Sequence, residues 1–367
     1  MHNVKSDFLS AQNFPLCLAP MVGLSHVVQR KMIQHYMPKN ASTFWPTEML
    51  NSRRLPNEIL GKNSETFVDD NEPNLVPQIL GNEEKAIRES IVRLKNEWNI
   101  KGVDINMGCP VQKALKHNYG VALMGDSDYA AQVVEFAANA SAKLSEKIPI
   151  SVKLRAVGSS HSVSELIIFV EKLVNAGADW ITLHPRSAEQ QRRGTADWTQ
   201  ITELKKNIKV PVIGNGDIQV ASDVIKMMAE TSADKVMAGR ALAARPWMVW
   251  QLGELLNLDG HNFQSPENFL NQKAPQTEIE EGAEFGRMLL KYIEFSEIYF
   301  KEKIGMSESL ILRRVMFFIK TTHVWLEFGH TLMAYCSRAK TLDELKIQVN
   351  KFFINEQRMF QRTELRQ

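Results

Sequence analysis

The chain has 367 residues, of which 44% are hydrophobic and 23% charged, with a formal net charge of +2. That length permits a large buried core, and the composition is ordinary for a globular protein, which excludes a disordered or fibrous chain. The first residues lack the apolar run of a signal peptide and no stretch nears the roughly 18 apolar residues of a membrane helix, so a soluble cytoplasmic protein is expected.

Cys17, Cys109 and Cys336 are odd in number and form no CxxC pair. Neither a disulfide framework nor a metal site is therefore expected, and any special cysteine acts alone.

Eight short apolar or β-branched runs occur in order: Leu16 to Pro20, Thr43 to Thr47, Leu75 to Leu80, Val103 to Met107, Ile150 to Leu154, Trp180 to Leu183, Val210 to Ile213 and Lys235 to Ala238. Between them, helical periodicity is clearest at Glu83 to Glu97, Tyr129 to Leu144, Ser164 to Ala176, Trp198 to Asn207 and Ala221 to Thr231. Strand alternating with helix predicts a parallel sheet, and eight such units predict an α/β fold of the (β/α)8 TIM-barrel kind. A doubly wound open sheet is the rival, but no GxGxxG turn comes after an early strand.

After Gly253 the pattern changes to a stretch rich in polar and turn residues, and beyond it only helical periods appear, at Phe285 to Lys303, Leu310 to Phe328 and Leu342 to Phe360. The expected organisation is a catalytic barrel over residues 1–253, a linker over 254–280 and a C-terminal helical bundle over 281–367. Residues 278–300 carry six acids against Arg287 and Lys291, whereas residues 301–367 carry twelve Lys or Arg against seven acids. The tail is basic.

In such barrels the βα loops at the carboxyl ends of the strands build the site. Taken run by run, the residues at those ends are Pro20 with Met21, Glu48, Gln78, Asn106 with Cys109, Lys153 with Arg155, His184 with Arg186, Asn215-Gly216-Asp217, and Gly239-Arg240. Glycines after the seventh and eighth strands let a backbone approach an anion closely, and Arg240 adds a charge-assisted contact. A phosphorylated cofactor is expected there.

INMGCPVQK at 105–113, VKLR at 152–155, IGNGDI at 213–218 and AGRALAARPW at 238–247 stand in this order along the barrel. APMVG at 19–23, TEM at 47–49, PQILG at 77–81, and the His and Arg of HPRS at 184–187 accompany them. On these blocks the chain resembles the tRNA-dihydrouridine synthases of bacterial type.

The resemblance implies FMN as cofactor, NADPH as reductant, tRNA as substrate, and a monomer. Matched position by position, Pro20, Met21 and Val22 lie beneath the isoalloxazine, while Gln78 and Lys153 hold its polar edge. Asn215, Gly216, Asp217, Gly239 and Arg240, with His184 beside them, hold the phosphate and ribityl chain. Cys109 matches the proton donor: hydride added to C6 of the uracil builds charge that a proton at C5 must quench, and an ordinary thiol near pKa 8.5 is protonated at neutral pH.

Asn106 and Arg155 match contacts to the target base, and Lys113 and Lys116, with His117, match a basic loop near the RNA backbone. Arg313 and Arg314 stand in the remnant of a basic helical motif, Leu312-Arg313-Arg314-Val315, with Leu310, Phe317 and Phe318 expected to pack inside. Two departures are visible: the family's His-Gly-Arg-Thr block reads His184-Pro185-Arg186-Ser187, and Met316-Phe317-Phe318 comes directly after the arginine pair. The alternatives are an FMN barrel acting on a free pyrimidine, as dihydroorotate dehydrogenases do, and a tRNA-binding paralogue that has lost reduction.

Overall fold

The computed structural model describes residues 14–38, 41–70, 72–110, 116–156, 162–190, 193–258 and 273–364. Its strands are β1 Leu16–Leu18, β2 Trp45–Asn51, β3 Leu75–Leu80, β4 Val103–Met107, β5 Ile150–Arg155, β6 Trp180–His184, β7 Val212–Asn215 and β8 Lys235–Ala238. All seven strand pairings are parallel, running in order from β2 to β8 and then to β1. Between β1 and β2 no ladder pairing is found among the described residues, but Phe14 N donates to Ser42 O at 2.7 Å just ahead of both strands, so the barrel is nearly closed. Pro46, which has no N–H to give a ladder, lies in the strand facing that gap.

Helices α1 Val27–Tyr36, α2 Glu84–Glu97, α3 Ser127–Ala142, α4 Val163–Asn175, α5 Thr199–Asn207, α6 Ala221–Thr231, α7 Arg240–Ala244 and α8 Met248–Leu255 surround or close the barrel. Their starts are legible locally: Asp126 accepts from Tyr129 N at 3.0 Å, and Ser162 forms a capping box with Glu165.

Alternation along each strand decides which side chains fill the barrel. Val152, Leu154, Ile105 and Met107 turn outward to the helices, whereas Cys17, Phe44, Val76, Trp180, Ile213 and Met237 form a separate apolar cluster. That cluster is the barrel floor, with the Phe44 and Trp180 rings 5.9 Å apart. Above it the inward positions become polar.

The C-terminal helices are α9 Glu278–Ser296, which continues as a π-helical segment Glu297–Lys303, then α10 Glu308–Thr322, α11 Gly329–Cys336 and α12 Leu342–Phe353. Their buried apolar residues belong to the same continuous cluster as those of the barrel. A buried ion pair joins the two parts: Arg245 Nε donates to Glu281 Oε1 at 2.8 Å, and Trp247 and Gln251 donate to the same oxygen. Among the described residues, no helix is long and apolar enough to cross a membrane.

Two helical expectations end early. The period read over Leu310 to Phe328 breaks after Thr322, where the Thr321 and Thr322 hydroxyls donate to Phe317 O and Phe318 O, and α11 starts afresh. The period read to Phe360 stops at Phe353, after which Met359 bridges Leu326 among the C-terminal helices and the chain reaches the barrel, where Arg362 pairs with Asp223 at 2.6 Å.

Candidate active site at the carboxyl rim

The inward residues of β3, β4 and β5 form one polar layer through strand register, with Gln78 opposite Asp104, Asp104 opposite Ser151, and Asn106 opposite Lys153. Asp104 accepts from Ser151 Oγ at 2.5 Å and from Gln78 Nε2 at 2.6 Å. Gln78 Oε1 accepts from Asn106 Nδ2 at 2.8 Å, and Asn106 Oδ1 accepts from the backbone N–H of Cys109 at 2.9 Å.

Cys109 is buried at the head of the loop after β4. Its carbonyl accepts from Val121 N at 3.1 Å. Arg155 Nε donates to the Gly108 carbonyl at 2.9 Å, so β5 clamps the loop from the other side. Asn82, just past β3, donates to the carbonyls of His117 and Asn118 where that loop returns. Lys113 falls outside the described residues; Lys116 is exposed, and the His117 ring stacks on Tyr119 at 5.7 Å.

On β5 and β6 the mouth is cationic. Burial, then the Arg155 charge, lowers the Lys153 pKa to about 8. Burial, then Lys153, Arg155, Arg186 and Arg240, lowers that of His184 to about 2. His184 is therefore neutral, and because Arg186 Nη1 approaches its Nε2 at 3.3 Å and an arginine only donates, the ring hydrogen sits on Nδ1.

Arg186 is 8% exposed and bonds Asp217 Oδ1 at 2.5 Å and the Gly194 carbonyl at 2.7 Å, while its buried Nε has no partner among the described residues. Asp217, at φ 59°, also accepts from Ala196 N at 2.6 Å. Its carboxylate thus holds the β6 loop. Asn215 donates to Met237 O at 2.7 Å and so ties β7 to β8. Gly216 has φ +113°, and a Cβ there would come 2.9 Å from Ala196 Cβ and 3.0 Å from His184 Cδ2. A Cβ on Gly239 would come 3.2 Å from Met21 Sδ, which brings the β8 end against the loop after β1.

That loop holds the half-buried Pro20 and Met21 and the exposed Val22. Gly23 N donates to Glu48 Oε2 at 2.7 Å; Glu48 is buried midway along β2, and burial raises its pKa. The structure thus gathers Gln78, Asn106, Cys109, Lys153, Arg155, His184, Asn215, Gly216, Asp217, Gly239, Arg240 and the Pro20 loop around one mouth. It does not bring Arg313 and Arg314 to equivalent places. Arg313 is exposed, whereas Arg314 is half-buried with its guanidinium 5.9 Å from the Phe300 ring. Leu310 and Phe317, expected to pack inside, are 43% and 45% exposed, and only Phe318 is buried. Among the described residues neither arginine forms an ion pair with Glu281 or Glu308: Glu281 holds Arg245, and Glu308 accepts from Leu342 N at 2.8 Å.

The part played by Asp104, and the pairing of Arg186 with Asp217, were not legible in the sequence, although Arg186 and Asp217 were each expected at the rim. Asp104 has a local signal only in its being a charged residue at an inward, buried strand position.

A floor of apolar side chains, a polar layer above it, and a cationic mouth around a lone thiol define a (β/α)8-barrel enzyme with its site at the carboxyl ends of the strands. The sequence matches the dihydrouridine synthase (Dus) family over residues 17–323, and the chain belongs to that family. It is similar to the probable tRNA-dihydrouridine synthase of Rickettsia bellii (strain RML369-C), at 30% identity over 66% of this chain and 71% of that one. It is likewise similar to those of Mycobacterium tuberculosis (strain ATCC 25618 / H37Rv), at 31% over 65% and 61%, and of Rhizobium leguminosarum bv. phaseoli, at 31% over 63% and 69%. The match thus spans between 61% and 71% of the length of these relatives.

Proposed function

We propose that this enzyme reduces the C5–C6 double bond of uridines in tRNA, with FMN as cofactor and NADPH as the source of reducing equivalents. The observation that carries the reading is the placement of the Cys109 loop beside a cationic mouth, in a member of the dihydrouridine synthase family.

The mouth suits a phosphorylated flavin in its donor chemistry. Arg186 Nε is a buried donor without an acceptor among the described residues, His184 is neutral amid four cations, and Gly216 keeps its backbone approachable. Asn215, Gly216, Gly239 and Arg240 would hold the phosphate side, and Lys153 and Gln78 the polar ring edge, above the Pro20 loop. When bound, the flavin supplies a hydride to C6 of the uracil.

The protein's own part is acid catalysis and charge stabilisation. Cys109 delivers the proton to C5, and Arg155, held at the same loop, offers positive charge to the carbonyl oxygens on which negative charge develops. RNA contact falls to Arg313 and to Lys116 near the mouth, both exposed.

The test is Cys109→Ala with purified tRNA. Bound flavin and its reduction by NADPH should persist while dihydrouridine formation falls by about two orders of magnitude or more, the loss of one general acid. Dihydrouridine made at the wild-type rate by this variant would refute the assignment.

A further inference from the structure

The polar layer beneath the mouth contains a carboxylate that the proposed reaction does not use. Asp104 is 8% exposed and is bracketed by its register partners, accepting from Ser151 Oγ at 2.5 Å and Gln78 Nε2 at 2.6 Å. Burial raises its pKa, opposed by these two hydrogen bonds and by the Lys153 charge.

Both carboxylate oxygens accept, Oδ1 from Ser151 and Oδ2 from Gln78, so Gln78 turns its NH2 group toward Asp104 and its carbonyl toward Asn106. Asn106 must then give its NH2 to Gln78 Oε1, at 2.8 Å, and turn its carbonyl to the N–H groups of Cys109 and Gly108, at 2.9 and 3.2 Å. Reversing Asn106 would set its NH2 against two backbone N–H donors. Each amide has two nearly isosteric orientations, and the accepting carboxylate at one end and the Gly108 and Cys109 N–H groups at the other select the same set.

We propose that Asp104 is a positioning residue: it fixes the direction of the Gln78 and Asn106 amides, and through them the place of the Cys109 loop at the mouth. Its effect on turnover rests on the reading of Cys109 as proton donor; its effect on the loop does not.

The two are separated by following Cys109 alkylation with iodoacetamide, peptide by peptide in a mass spectrometer, on the flavin-loaded enzyme. Asp104→Leu removes the acceptor at similar volume and should speed Cys109 alkylation about tenfold by loosening the loop. Asp104→Asn should stay within about twofold of wild type, because it keeps an anchored acceptor: the Gly108 and Cys109 N–H groups hold the far end of the series, so the asparagine carbonyl is the end that meets Gln78 Nε2, and the Ser151 hydroxyl reverses to accept from its amide. If leucine blocks folding, Asp104→Ala serves, since it removes the same anchored acceptor.

In the leucine variant, kcat for dihydrouridine formation should fall about tenfold with the KM for tRNA little changed, and the asparagine variant should recover it. A folded leucine or alanine variant with wild-type Cys109 reactivity would overturn the proposal. So would an asparagine variant as reactive as leucine, which would make charge rather than direction the cause. Failure of both leucine and alanine variants to fold would also overturn it, by making the carboxylate a requirement of the core. Faster alkylation with unchanged kcat would support the positioning of the loop and remove Cys109 from the acid step.

Discussion

The ring of Phe317 on α10 lies on Gly23 in the loop after β1: a Cβ at residue 23 would come 2.7 Å from Phe317 Cε1. Gly23 has φ +77°, so a side chain there is opposed twice, by backbone conformation and by the ring. The same glycine donates to Glu48 Oε2. The C-terminal helices therefore bear directly on the loop that edges the mouth. Gly23→Ala should destabilise the protein by about 1–3 kcal/mol. Adding Phe317→Ala should recover only the steric share, which thermal unfolding of the two single variants and the double variant will measure.

At the other side of the mouth, Gly216→Val should weaken flavin binding at least tenfold. The new Cβ would meet Ala196 and the His184 ring, and the φ of +113° is one that valine avoids. Fluorescence titration of flavin-stripped protein checks this; full affinity in the variant would move the phosphate site elsewhere.

Lys153 makes a pH prediction. Its pKa is lowered from 10.5 to about 8, first by burial and then by Arg155, so its charge is present below about pH 8 and lost above. Flavin affinity that depends on this ammonium should weaken as pH rises through about 8 in the wild type, and Lys153→Met should abolish that dependence. The stability effect has the opposite sign. Between about pH 8 and 10.5 the unfolded chain binds the proton more tightly, so this group makes stability rise with pH across that window. Thermal melts of flavin-free Lys153→Met should therefore show a gain over wild type below pH 8 that shrinks toward pH 10.5.

The arginine pair on α10 divides its work. Arg313 is exposed, so Arg313→Ala should lower tRNA affinity and make the slope of log K against log salt shallower by about one unit. Arg314 packs toward Phe300 and adds to the positive surroundings of Glu48, so Arg314→Ala should mainly lower the melting temperature. A salt slope altered by Arg314→Ala alone would exchange these roles.

Much of the architecture was readable along the chain because the signals are local. Eight short apolar runs, with helical periods clear between five of them, mark the strands, and the residues after each run reach the rim whatever the tilt of the strands. Cys109, Lys153, His184 and Gly216 could thus be named from motif and position. The C-terminal helices were readable in kind but not in their ends, since hydroxyl groups at Thr321 and Thr322 and the return of residues 354–364 to the barrel cut short periods that the apolar pattern would continue.

The lateral relationships came from the folded barrel alone. Gln78, Asp104 and Ser151 meet across three strands, Arg186 finds Asp217, and α10 turns Arg314 rather than Arg313 toward the barrel. Periodicity states which face a residue occupies. Strand register, loop path and helix rotation state which residue it meets there, and these are set by the packing of the whole barrel, where a shift of one residue would carry Asp104 from the inner layer to the helices.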